Sequence, residues 1–174
     1  MKRQSIYHIA LTAMLAAMTM AIILYASMPW GYGRIHFGDA VILLAAVLLP
    51  TPYAMAVGAI GGGMANLLGD AVMWAPATVV IKAAITMPFA KQDKMINRRN
   101  LLALLPYAVI TLVGYGLYQW LLISLGSISA PDGVWVAITA NLIGDTVQIT
   151  GSSALFIALA KMLEKIKFKQ RLGL

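Results

Sequence analysis

The chain has 174 residues, of which 61% are hydrophobic and 11% charged, with a formal net charge of +7. That mix cannot cover an aqueous core with a water-facing surface, so lipid is the expected solvent for much of the chain. The absence of cysteine excludes disulfides, thiolate metal sites and cysteine nucleophiles. The cations are clustered: Lys2 and Arg3 at the start, Lys91, Lys94, Arg98 and Arg99 in the middle, and Lys161, Lys165, Lys167, Lys169 and Arg171 at the end. These clusters flank apolar segments, as in cytoplasmic loops of membrane proteins, and no nucleic-acid partner is expected.

Apolar runs bounded by Gly, Pro or charge predict six helices at about 6–25, 38–49, 53–68, 75–89, 101–125 and 134–161. The first follows Lys2-Arg3 like a secretion signal, yet Leu24-Tyr25-Ala26 lacks a small-x-small cleavage pattern, so it reads as a retained span. Ala13, Ala17 and Ala21 lie four apart on it, a smooth stripe that suits either internal packing or docking to another subunit.

The next segment, Pro29 to Asp39, contains Trp30, Tyr32, His36 and Phe37 among glycines. It reads as a lid whose rings stack on a flat ligand, or as an aromatic belt at the headgroup level. The second, third and fourth helices fall short of the roughly 20 residues that cross the hydrocarbon layer, which leaves room for a cavity. In the third, Gly58 and Gly62 give small-xxx-small spacing, best explained by tight internal packing.

With the N-terminus inside, the segment after the fourth helix and the tail after the sixth are both cytoplasmic, and both carry cation clusters. The outer connections hold Arg34, Asp39, Asp70 and Asp132, three acids against one base. The expected fold is therefore an all-α integral membrane protein, a single domain over residues 1–174 with six transmembrane helices and both termini cytoplasmic. The terminal bases can meet anionic lipid headgroups.

Polar groups at membrane depth are costly and usually face a cavity or a partner. Lys82 lies eight residues beyond Trp74, roughly 12 Å along the fourth helix. Asn66 and Asp70 share one face of the third, and Asn141, Asp145 and Gln148 form a stripe on the last. The plainer explanation is that Lys82 neutralises Asp39 or Asp145 while the amides bridge helices. Together the groups favour an outward-facing pocket. No metalloprotease, phosphate-loop or serine-hydrolase motif occurs, so neither an enzyme nor a metal or cofactor site is expected.

Ile35-His36-Phe37-Gly38-Asp39, Gly61-Gly62-Gly63 with Asn66 to Asp70, and Trp74-Ala75-Pro76-Ala77-Thr78 leading to Ile81-Lys82 resemble the membrane-embedded S-components of energy-coupling factor (ECF) vitamin transporters. Within them the chain is most similar to the hydroxymethylpyrimidine and riboflavin group, which includes proteins assigned to vitamin B6. The resemblance implies a bacterial plasma-membrane protein that captures a vitamin from outside. Its implied partners are a membrane scaffold subunit and two ATPase subunits, with Ala13, Ala17 and Ala21 as the docking stripe. The implied ligand is a small heteroaromatic vitamin or precursor, hydroxymethylpyrimidine-like or pyridoxine-like. Candidate binding residues are Trp30, His36, Asp39, Asp70, Trp74, Lys82, Asn141, Asp145 and Gln148. The contrasting function is a stand-alone secondary transporter in which Lys82 and Asp145 relay protons.

Overall fold

Each apolar run becomes a helix, because backbone N–H and C=O groups in hydrocarbon have to be paired within their own segment. A computed structural model describes residues 3–92 and 94–172; Lys2 of the first cation cluster lies outside the described residues. Its principal helices are α1 (Arg3–Tyr25), α2 (Asp39–Leu48), α3 (Thr51–Leu68), α4 (Ala75–Ala84), α6 (Leu104–Ser124) and α7 (Val134–Lys165). Two single-turn helices, α5 (Arg98–Leu102) and α8 (Phe168–Leu172), flank them, and a short turn at Val72–Trp74 leads into α4.

Three stretches are long and apolar enough to cross a membrane: Ile6–Tyr25, Arg98–Ser124 and Val134–Lys165. Their outward faces suit lipid. On α6, Leu105, Val109, Val113 and Leu117 recur every four residues and are all exposed. The opposite case is α2, ten residues long, in which every side chain from Asp39 to Leu48 is buried. It packs against α1, α3 and α7 and forms the centre of the core.

Helix α3 lies between α1 and α4, and glycines set the spacing. A side chain at Gly61 would meet the Ala16 carbonyl and Thr19 of α1; one at Gly58 would meet the Lys82 carbonyl of α4. Gly62 faces Thr78 and the Lys82 stem. Gly58 and Gly62 therefore serve close internal contact, as their spacing suggested.

Two details differ from the sequence expectation. The segment after α1 is an antiparallel hairpin, β1 (Ser27–Trp30) and β2 (Gly33–His36), with Ser27 opposite His36 and Trp30 opposite Gly33. The fourth helix ends at Ala84 instead of running to 89; Thr86 and Met87 bond three residues back, a tighter turn that leads to Pro88, which has no N–H to continue the ladder.

The last helix orients the whole. It begins beside the hairpin, where Ala140 and Asn141 touch β1 and the turn, and ends about 46 Å away by helical rise. Glu164 near that far end accepts a hydrogen bond from the Ile96 backbone at 2.9 Å, which brings the middle cation cluster to the same end as the terminal one.

Candidate functional site

The hairpin is seated on α7 by contacts that depend on small residues and two amides. Trp30 donates from Nε1 to the Ala140 carbonyl at 2.9 Å, and its ring lies against Gly144, where any side chain would collide with it. Gly31 in the turn has φ +56°, a conformation that favours glycine, and Asn141 Oδ1 sits where its Cβ would be. The same oxygen accepts from the Tyr32 backbone at 2.9 Å, while Asn141 Nδ2 donates to Gln119 Oε1 at 2.9 Å. Lower down, Gln148 Oε1 accepts from the His36 backbone at 3.2 Å, and the Phe37 ring covers Gly151. On the far edge Arg34 pairs with Asp70 at the end of α3.

Beneath the hairpin is a pocket of about 670 Å³, counting its open mouth. Its walls come from the hairpin (Trp30, Arg34, Ile35, His36), α3 (Asn66), the turn and α4 (Ala71, Trp74, Thr78), α6 (Tyr115) and α7 (Asn141, Asp145, Gln148). Asn66 Nδ2 donates to Thr78 Oγ1 at 2.7 Å and the Tyr115 hydroxyl to the same oxygen at 3.2 Å. Trp74 packs at tilted angles on Tyr115 and Tyr118, its ring buried.

Below the floor lies a buried ion pair. Lys82 Nζ is 2.7 Å from Asp39 Oδ1 and 2.8 Å from Oδ2, with side-chain exposures of 1% and 0%. Tyr107 donates to Asp39 at 3.1 Å and Gln148 Nε2 at 3.3 Å, and the Lys82 ammonium stands 5.3 Å from the Tyr115 ring centre. A carboxylate and an ammonium removed from water are tolerable only when each has such partners.

His36, in the hairpin strand, has its pKa lowered to about 4, because burial disfavours the imidazolium more than the nearby Asp39 carboxylate favours it. The ring is therefore neutral at pH 7, and its Nδ1 is buried without a hydrogen-bond partner.

Of the residues singled out in the sequence, Trp30, His36, Trp74, Asn141, Asp145 and Gln148 line the pocket. Asp39 and Lys82 lie beneath it and answer each other, while Asp70 is outside it, holding Arg34. Asn141 and Gln148 grip the hairpin backbone as well as facing the cavity. Arg34, Thr78, Tyr107, Tyr115 and Gln119 were not singled out. Tyr115 and Gln119 lie four residues apart on α6, the one spacing signal that bore on this group. On α1, Ala13, Ala17 and Ala21 are exposed, whereas Ala16 is buried against α3. Among the described residues no group of three or more His, Cys, Asp or Glu is placed to hold a metal ion.

Apolar helices around a pocket capped by a hairpin suit a membrane protein that holds a small ligand. The family model described as ECF-type riboflavin transporter, S component, matches residues 3–165. The chain belongs to that family, the substrate-binding membrane components of ECF transporters, and is not an enzyme. No curated protein matches it.

Proposed function

We propose that the chain, acting as one six-span domain with both termini in the cytoplasm, captures a small flat heteroaromatic vitamin or precursor from outside a bacterial cell. Hydroxymethylpyrimidine and pyridoxine-like vitamers are the ligands we favour. The observation that carries this reading is the pocket itself, where aromatic rings and hydrogen-bonding groups from the hairpin and four helices converge beneath a seated lid. Trp30 and Trp74 offer ring faces, while His36, Asn141, Asp145 and Gln148 offer hydrogen bonds to ring substituents. Asp39 and Lys82 support the floor, and Asp70 holds the lid through Arg34.

The orientation follows the positive-inside rule: the end with Lys91, Lys94, Arg98, Arg99 and the terminal bases faces the cytoplasm, so the hairpin faces outward. The exposed stripe of Ala13, Ala17 and Ala21 is the surface that docks on a membrane scaffold subunit, with two ATPase subunits driving release inward. The family description names riboflavin; the smaller ring is preferred here because the hairpin already engages Asn141 and Gln148, leaving fewer free hydrogen-bonding groups for a larger ligand.

Mass spectrometry of the ligand that co-purifies with the detergent-solubilised chain tests the reading. A pyrimidine or pyridine of vitamin type is the expected finding. A yellow preparation that releases flavin on denaturation would replace the small ring by riboflavin.

A further inference from the structure

The charges around the pocket do not cancel. Arg34 is paired with Asp70, and Lys82 below the floor is paired with Asp39. Asp145 lines the pocket, 11 residues into α7, and has neither hydrogen bond nor ion pair among the described residues. The hydrogen-bonding side chains around it are already engaged. Asn66, Thr78 and Tyr115 are bonded to one another, and the amides of Asn141 and Gln148 are held by the hairpin, Gln119 and Asp39. Two other polar atoms of the wall are buried without partners, His36 Nδ1 and Arg34 Nε. The Lys82 ammonium acts on its charge from below but is committed to Asp39, and a carboxylate with no hydrogen-bond donor of its own in such a setting is costly until donors meet it.

Resting on the reading of this pocket as the ligand site, we propose that Asp145 selects a ring edge bearing two adjacent N–H donors: an exocyclic amino group beside a protonated ring nitrogen. The ligand class is then an aminopyrimidine. Two carboxylate oxygens match two parallel N–H groups, as in any bidentate pairing of a carboxylate with a planar fork of donors. The imide edge of a flavin or an oxopyrimidine presents carbonyl oxygens beside its N–H, and a carbonyl lone pair against Asp145 is repulsive. Discrimination thus comes from a mismatched partner as well as from a matched one. His36 Nδ1 and Arg34 Nε remain for a hydroxymethyl oxygen on the same ring.

Titration calorimetry with hydroxymethylpyrimidine, its oxo counterpart in which a carbonyl replaces the amino group, and riboflavin tests this on the wild-type chain and on Asp145→Asn. Wild type is expected to prefer the amino compound by about a hundredfold or more. Asp145→Asn should narrow or invert that preference, because a side-chain amide offers one donor and one acceptor, the complement of an oxo edge. A general loss of folding would lower both affinities together and shows in the melting temperature.

Equal affinities for the amino and oxo compounds in wild type, or an unchanged preference in Asp145→Asn, would overturn the proposal while leaving the pocket reading intact. Riboflavin binding without aminopyrimidine binding would overturn it too, as would binding of none of the three. Asn66→Trp, which fills the same cavity, separates the two ideas. Aminopyrimidine binding that survives that change would place the ligand elsewhere and remove the pocket reading itself.

Discussion

Lys82 shows what a single charge does at membrane depth. With Asp39 as partner, its ammonium stabilises a carboxylate that also receives Tyr107 and Gln148, so one residue from each of four helices meets at one point. Lys82→Met would strand that carboxylate and is expected to destabilise the folded chain by about 3–5 kcal/mol, with most of the loss recovered in the double change with Asp39→Asn. Thermal unfolding in detergent of the single and double variants checks this. A fully stable Lys82→Met that loses its ligand would instead make the ammonium a ligand contact.

The sequence marked Lys82 and both acids, since an intramembrane charge stands out in an apolar run. It could not choose between Asp39 and Asp145, because that choice depends on how α2 and α7 face α4, and helix spacing alone carries no such information. Tyr107 and Gln119 escaped notice for a related reason: each looks ordinary until the neighbouring helix is in place. The Asn141 and Gln148 stripe was legible, but their attachment to backbone N–H groups of the hairpin was not, because side-chain identity says nothing about which strand will arrive.

Among elements, the hairpin is the one whose form was hidden. Its composition of glycine, proline and aromatics lacks the strict alternation that marks a strand, although the same composition suggested a lid. If it is a lid, its grip on α7 sets how long a ligand stays. Trp30→Ala removes the bond to Ala140, and Gly144→Ala pushes the ring off its seat. Both are expected to speed release by about tenfold, equivalent to about 1.4 kcal/mol, with a smaller effect on the association rate. Stopped-flow fluorescence measures the two rates separately, and unchanged release in both variants would return the hairpin aromatics to a headgroup belt.

Helix α1 makes the complementary point, since its small-residue stripe was legible as a stripe and its two uses were not separable from spacing. The structure turns Ala13, Ala17 and Ala21 away from the protein. Ala17→Leu is therefore expected to leave ligand binding by the isolated chain within a factor of about two, since a change on an outward face disturbs little inside. ATP-dependent uptake in vesicles containing the partner subunits should fall to background. An equal loss of binding and uptake would give the stripe an internal role.

At the scale of the molecule, the six principal helices were legible because apolar runs ended at glycine, proline or charge, and the short ones pointed to room for a cavity. What could not be read was that α2 faces no lipid at all. That feature bears on how the protein is made. A ribosome releases α2 early, when α7, which covers it, has yet to be synthesised. At ten residues the nascent helix is too short to cross the bilayer unaided, and its Asp39 has at that moment neither the ammonium of Lys82 nor the amide of Gln148. It has to be held at the membrane surface or shielded by the insertion machinery until the chain is nearly complete. The centre of the molecule is thus assembled last, around a helix that emerged among the first.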